Sequence, residues 1–215
     1  MRKIAILFLI IMLSISCNKL DKKIDYANIL ENCFLTAEIE LLNEACASFE
    51  SQLSENYPNE PMGIKYKQFL NDIGSINAPI ALLKNTPKTI VTKLKNSSAF
   101  DKIWIQYSET YYEDDSYEIQ VETNLKNTEN ETEYTPKDFY ITNPKGIYLD
   151  CLISNQKNKY INEYLTFLKE IGDISPTILA QGLANTMEDD DYNDKTVRLV
   201  IAINLFYELE LNMAS

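Results

Sequence analysis

The densest acidic run in the chain, Glu188–Asp194, has residue types that could bind a divalent cation. Asp189, Asp191 and Asn193 alternate as the first ligands of a twelve-residue calcium loop do. Such a loop then needs glycine at its sixth position and glutamate at its twelfth, where this chain has aspartate and valine. We therefore interpret the run as a solvated loop in which Asp194 caps the next helix, and we keep Asp189, Asp191 and Asn193 as weak metal candidates.

A second acidic cluster, Glu113-Asp114-Asp115 with Glu109 and Glu118 nearby, could supply the paired carboxylates of a glycoside hydrolase. A charged turn is the simpler interpretation, because the sequence gives neither the separation nor the burial of these groups. The chain has no histidine, which excludes Ser-His-Asp and Cys-His catalysis and most zinc sites. The sequence therefore favours a non-catalytic role over an enzyme and predicts no cofactor.

Three polar residues, Arg198, Asn204 and Glu208, interrupt an otherwise apolar segment near the end of the chain. Arg198 is the only arginine beyond Arg2, and its guanidinium can form a paired hydrogen bond that lysine cannot. All three are therefore candidate contacts for a ligand or a partner. A buried salt bridge between helices is the alternative.

The segment 98–112 carries a further candidate site, the aromatic residues Trp104 and Tyr107. Its helical spacing predicts a helix over 98–112, and strict alternation predicts a strand over 117–125. Because the stretch is rich in β-formers, a hairpin over 103–125 is the alternative. Trp104 and Tyr107 would then either form an aromatic surface for a sugar or a protein or pack in the core.

The charge balance limits the classes of partner. Acidic residues outnumber basic ones by 32 to 20, so the formal net charge is −12, and about −14 without Arg2 and Lys3. Such a chain does not suit nucleic acid, whose binding depends on neutralising phosphates. A basic protein partner fits the charge.

Three cysteines follow Cys17 in the sequence: Cys33, Cys46 and Cys151. We expect Cys33 and Cys46 to share one helix, roughly 20 Å apart, which is beyond disulfide reach. Either could therefore pair with Cys151, and three free thiols are the alternative.

Hydrophobic spacing predicts helices through the first part of the chain. A long helix is expected from Ala27 to about Asn56, and a second from about Pro61 to Ile73. Gly74 would end the second helix as a left-handed cap. Two short helices are expected to begin at Pro79 and Pro87.

The last third of the sequence is strongly helical. One apolar helix face ends at Gly172, and Pro176 opens the next helix, with Ile178 among the residues predicted to face inward. The final helix, Lys195 to about Leu211, is apolar nearly all round, so we expect it to be central.

An internal similarity relates residues 66–76 to 164–174. In both, Tyr-x-x-Phe-Leu is followed by an acidic residue, Ile-Gly and a further Ile. Duplicated helical hairpins stacked as in a solenoid would explain the match, and so would one helix C-cap that arose twice.

The start of the chain has the parts of a secretory signal: basic residues, a short apolar stretch and small residues before Cys17. The apolar run is shorter than the roughly 20 residues that span a bilayer. Leu13-Ser14-Ile15-Ser16-Cys17 resembles the lipobox of bacterial lipoproteins. The resemblance implies cleavage after Ser16, acylation of Cys17 with palmitate among the chains and, with Asn18 next, the outer membrane. Secretion without a lipid is the alternative.

These features predict a cleaved signal over residues 1–16, a short tether over 17–25 and a single domain over 26–215. The domain is predicted to be mainly α, as a helical bundle or a solenoid-like stack of hairpins, with a small β-hairpin or extended segment near 103–142.

We expect a lipid-anchored envelope protein that acts as a non-catalytic binding module with an acidic surface, and an immunity-type lipoprotein is one version of it. Its predicted partners are the membrane, through the N-terminal lipid, and a basic protein, but not nucleic acid. An envelope hydrolase with paired carboxylates and a structural envelope component are the alternatives.

Overall fold

The computed structural model describes residues 24–75, 82–83, 86–108, 139–172 and 174–213. The protein is mainly α-helical with a small antiparallel sheet, as the sequence predicts. In chain order, the helices and strands are α1 (Thr36–Asn56), α2 (Met62–Gly74), α3 (Lys88–Lys95), α4 (Phe100–Ile103), β1 (Trp104–Gln106), β2 (Tyr140–Thr142), α5 (Ile147–Asn155), α6 (Lys159–Ile171), α7 (Pro176–Thr186), α8 (Lys195–Val200) and α9 (Glu208–Met213). A 3-10 turn, Ala27–Leu30, precedes α1, and a π-helical segment, Ile201–Tyr207, joins α8 to α9. Among the described residues, no helix has the length and apolarity to cross a membrane.

The predicted helix from Ala27 to Asn56 is in fact two elements, because side chains of α1 bind the backbone before it. Asn43 Oδ1 accepts hydrogen bonds from the backbone N–H groups of Tyr26 and Ala27, at 2.7 and 2.9 Å. Glu38 Oε2 accepts one from the N–H of Leu35, at 2.7 Å. The chain therefore turns between Leu30 and α1 instead of continuing as a helix.

The turn before α1 contains Cys33. The prediction that Cys33 and Cys46 share a helix is wrong, because Cys33 lies in the turn before α1. Cys33 forms a disulfide with Cys151 on α5, with the two Cα atoms 6.3 Å apart, and Cys46 is a buried free thiol. The disulfide ties the start of the domain to its second half.

The predicted second helix is confirmed, but its glycine has a different role from the one expected. Gly74 is the last helical residue of α2 and does not have a positive φ, whereas Gly172 does, at 82°. A Cβ atom on Gly74 would lie 3.1 Å from the Cα atom of Gln181, so this glycine allows α2 and α7 to approach closely. The two glycines of the internal similarity therefore do not share one cap conformation: Gly74 is helical, and Gly172 has a positive φ with a ψ of −122°.

The predicted helix over 98–112 is wrong at Trp104–Gln106; residues 107–108 are helical again, and residues 109–112 lie outside the described residues. Residues Trp104–Gln106 form β1, which pairs antiparallel with β2 so that Ile105 lies opposite Ile141. The β-forming residues there outweigh the helical spacing. The strand expected in the hairpin alternative exists, but its partner is Tyr140–Thr142. The strand predicted over 117–125 and the helix start at Pro79 lie outside the described residues.

The final helix is central, as predicted. All side chains of the π-helical segment Ile201–Tyr207 are buried, and the Phe206 ring stacks on Phe49 with 4.3 Å between centroids. The inward orientation predicted for Ile178 is wrong, since 63% of it is exposed. The inward orientation is confirmed for Leu179 and Leu183, which the same spacing predicts to face the core, and Ile178 points about a quarter turn away from that face.

We predict that replacing both Cys33 and Cys151 with serine will lower the free energy of unfolding by about 2–5 kcal/mol. The disulfide joins residues 118 positions apart. Without it the unfolded chain gains conformational entropy, and the gain is larger for a longer loop. Urea unfolding under oxidising conditions measures this. A reductant should destabilise the native chain to a similar extent and leave the double variant unchanged. Equal urea midpoints for the two oxidised proteins would contradict the prediction.

Candidate functional site

The acidic turn, residues Glu188–Asp194, leads from α7 into α8 and is held by its own aspartates. Asp194 Oδ1 accepts hydrogen bonds from the first free N–H groups of α8, at 2.7 and 3.3 Å, which confirms it as the N-cap. Asp191 Oδ2 accepts one from the N–H of the first residue of the turn, at 2.8 Å. Asp191 Oδ1 accepts another from Asn158 Nδ2, at 2.6 Å. The turn is therefore fixed at both ends and tied to α6.

The acidic turn packs on α2 through Tyr192 and Gly63. Tyr192 is fully buried. Its burial, with smaller contributions from the charges of Asp189 and Asp191, raises its pKa to about 12. A Cβ atom on Gly63 would lie 3.1 Å from Asn193 Oδ1, so the N-terminal end of α2 approaches the turn closely. This packing leaves the turn little room to move.

Arg198 connects the acidic turn to α1. Its Nε donates to the carbonyl oxygen of Tyr192 at 2.7 Å, its Nη2 donates to Asn193 Oδ1 at 3.3 Å, and its Nη1 pairs with Glu50 Oε1 at 3.2 Å. The guanidinium also lies over the Tyr66 ring, 5.6 Å from its centroid. Only arginine offers donors in one rigid plane for all three acceptors. Of the two interpretations of Arg198, the salt bridge between helices is the one that the structure bears out.

The three weak metal candidates bind three different protein groups. Asp189 pairs with Lys67 at 2.6 Å, Asp191 binds Asn158, and Asn193 accepts from Arg198. In the part of the chain that the structure describes, no three acidic or cysteine side chains are grouped to hold a metal ion. The alternation in the sequence therefore does not correspond to convergent ligands.

The outer side of the acidic turn faces solvent. Glu188, Asp190 and Asp194 are exposed, and with Asp191 they line an open groove of about 520 Å³. Residues 157–160 form its opposite side, which includes two lysines. The pKa of one of these, Lys159, is raised by its hydrogen bond to Tyr160 and further by the nearby carboxylates. The groove is thus an acidic surface with a basic rim.

Asn204 and Glu208 lie in a separate, internal polar network. Tyr148 donates to Asn204 Oδ1 at 2.8 Å, Asn204 Nδ2 donates to Thr142 Oγ1 at 3.1 Å, and Thr142 donates to Glu208 Oε2 at 2.7 Å. All four are buried. The network joins β2 and α5 to the final helix, so Asn204 and Glu208 hold the domain together, at a distance from the acidic turn.

Trp104 is not part of an exposed aromatic surface, whereas Tyr107 is half-buried and its stacking partner Phe139 is 37% exposed. Trp104 is 1% exposed and packs against Phe100, with 5.5 Å between ring centroids. Tyr107 stacks on Phe139 at 4.7 Å. Core packing is therefore the correct interpretation for Trp104. The lipid-attachment residues Ser16 and Cys17 and the cluster around Glu113 lie outside the described residues.

Sequence interpretation missed Glu210, which is only 6% exposed and whose Oε1 atom has no hydrogen-bond partner among the described residues. Burial raises its pKa to about 7, and a hydrogen bond with Thr86 partly opposes the shift. A glutamate in the apolar final helix was the signal that could have revealed it. Glu208 and Glu210 line different cavities, so these two buried carboxyls are not the pair that a glycoside hydrolase needs.

Comparison with known proteins gives no family model, no curated protein and no solved structure that matches this chain. Function is therefore inferred from the geometry and charge of the chain itself.

We predict that Glu210→Gln will remove a pH dependence of stability. Because the folded-state pKa of about 7 exceeds the ordinary 4.5, the folded protein binds the proton more tightly, and stability falls as pH rises from about 4.5 to 7. The full loss is up to about 3 kcal/mol. Urea unfolding should show the variant more stable than the native chain at pH 8 and equal to it near pH 4.5. The exposed control Glu163→Gln should show the same dependence of the free energy of unfolding on pH as the native chain. The prediction would be contradicted if Glu210→Gln also showed the native pH dependence.

Proposed function

We propose that this protein is a lipid-anchored protein of the bacterial envelope that acts as a non-catalytic binding module for a basic protein. The observation that carries the proposal is the acidic turn, in which Glu188, Asp190 and Asp194 are exposed while Arg198, Tyr192 and Gly63 fix the turn from behind. An immunity-type role, in which the partner is a basic toxin, is the specific version that we favour.

The rigidity of the acidic turn supports binding. A surface that is already ordered loses little conformational entropy when a partner binds it. The exposed carboxylates of Glu188, Asp190 and Asp194 would attract a basic partner from a distance and select its orientation, and salt would weaken that attraction. The net charge of about −14 that remains without Arg2 and Lys3 acts in the same direction.

The envelope location rests on the lipobox-like stretch that ends at Cys17, and the disulfide between Cys33 and Cys151 is consistent with it. Disulfides persist in secreted and periplasmic proteins and are rare in the cytosol. The tether over residues 17–25 is short, so a lipid on Cys17 would hold the start of the domain within about 3 nm of the membrane, since each tether residue spans about 3.5 Å at most.

The binding proposal predicts salt-sensitive affinity for a basic protein encoded beside the gene. Calorimetry at low and high salt should show binding that weakens as salt rises, and Glu188→Gln/Asp190→Asn should reduce the affinity by about tenfold. The matched control Glu40→Gln/Glu55→Gln removes the same charge from exposed positions on α1 and should retain most of the affinity. Equal losses in the two variants, or no salt-sensitive binding to any such protein, would contradict the proposal.

The anchor proposal predicts a mature chain that begins at Cys17 and carries acyl chains. Mass spectrometry of the protein from its own cell envelope measures both the cleavage site and the lipid mass. Cys17→Ser should lack the lipid and leave the membrane fraction. A mature N-terminus elsewhere, or an unmodified Cys17 in a protein that still fractionates with membranes, would show that the anchor is wrong.

A further inference from the structure

A second groove lies between α3 and α9 and contains the buried carboxyl group of Glu210. Its volume is about 500 Å³, and Glu210 and Met213 of α9 form one side. Leu83 and Thr86 line it from the segment before α3. This groove lies apart from the acidic turn, which has a different set of lining residues.

Glu210 is incompletely satisfied at this groove. Its Oε1 atom has no hydrogen-bond partner among the described residues, although 94% of the residue is buried. Thr86 is the polar neighbour that hydrogen-bonds with it, but the Thr86 hydroxyl also lies 3.2 Å from Gln52 Oε1 and 3.2 Å from the Leu83 carbonyl oxygen. One hydroxyl proton serves only one of these acceptors at a time. A buried polar atom without a hydrogen-bond partner lowers the stability of the folded state. A ligand that forms a hydrogen bond with this atom would remove that penalty.

The opposite wall of the groove is cationic. Lys88 and Lys95 both line it, seven residues apart on α3, and Val91 lies between them. Residues spaced in this way share one face of a helix. Glu210 is the single acidic residue among the lining residues that the structure describes, and both lysines would repel a positively charged ligand.

We propose that the groove between α3 and α9 binds a small organic acid with an apolar body. The ligand carboxylate lies against the lysine wall and accepts a hydrogen bond from the protonated carboxyl of Glu210. Its hydrocarbon part covers Leu83, Val91 and Met213. The site is independent of the binding function of the acidic turn.

The proposed hydrogen bond requires the proton on Glu210, so binding should strengthen as pH falls through about 7. The groups around Glu210 are Thr86, Lys88 and Lys95 at the groove and Tyr207 on its own helix. Burial keeps Tyr207 protonated by raising its pKa, to which Glu210 adds a smaller contribution. Tyr207 is therefore expected to stay uncharged between pH 6 and pH 8.

The test compares three probes of one chain length with the purified protein: hexanoate, 1-hexanol and hexylammonium. Titrations followed by NMR at pH 6 and pH 8 should show hexanoate binding most tightly, and more tightly at pH 6. Lys88→Met/Lys95→Met should weaken hexanoate by about tenfold, as the loss of charge-assisted contacts implies. The control Lys93→Met/Lys157→Met removes the same charge outside the groove and should leave the affinity unchanged.

The variant Glu210→Gln tests the proposed hydrogen bond to the ligand while keeping a side chain of the same size in the groove. Its amide still donates to a carboxylate but does not titrate, so hexanoate should bind with nearly the same affinity at both pH values. Tighter binding of hexylammonium or equal binding of 1-hexanol would overturn the proposal. An equal loss in the two double-lysine variants, or an unchanged pH dependence in Glu210→Gln, would overturn it as well.

Discussion

The contact between Arg198 and Glu50 is the interaction on which the arrangement of this domain depends. It joins α8 to α1 in the interior, where the two side chains are 12% and 11% exposed. The same guanidinium binds the backbone and a side chain of the acidic turn. Removing one member of such a pair leaves an uncompensated charge, which is strongly destabilising. A single residue therefore couples the packing of the helices to the shape of the candidate binding surface.

The other buried acidic groups show how this chain tolerates its high negative charge. Glu38 is held by Lys102, Ser98 and the backbone of Leu35, and these hydrogen bonds lower its pKa although burial opposes them. Glu208 accepts from Thr142. Glu210 is the exception, because its Oε1 atom has no such partner and its pKa rises. Unsatisfied groups of this kind are often found where a protein binds something.

The sequence predicts the elements with strong periodicity and fails where single side chains decide the path. The spacing of apolar residues locates α2, α6 and the central final helix, and Asp194 is recognisable as a cap from its position alone. The break before α1 depends on Asn43 reaching seventeen residues back to Tyr26, which no local pattern encodes. The pairing of β1 with β2 is likewise a contact between segments far apart in the chain. For the site, the sequence indicates the acidic run and the arginine, but not that Arg198 supports the turn.

The most direct test of the account is the effect of Arg198→Lys on binding of the basic partner and on amide exchange in residues 188–194. This substitution alters no charge and no exposed carboxylate, but lysine cannot bind Glu50, Tyr192 and Asn193 together. The account predicts faster exchange in the acidic turn and weaker binding in the same variant, with Lys195→Arg unchanged in both. A loosened turn with undiminished affinity would contradict the claim that the acidic turn is the binding surface.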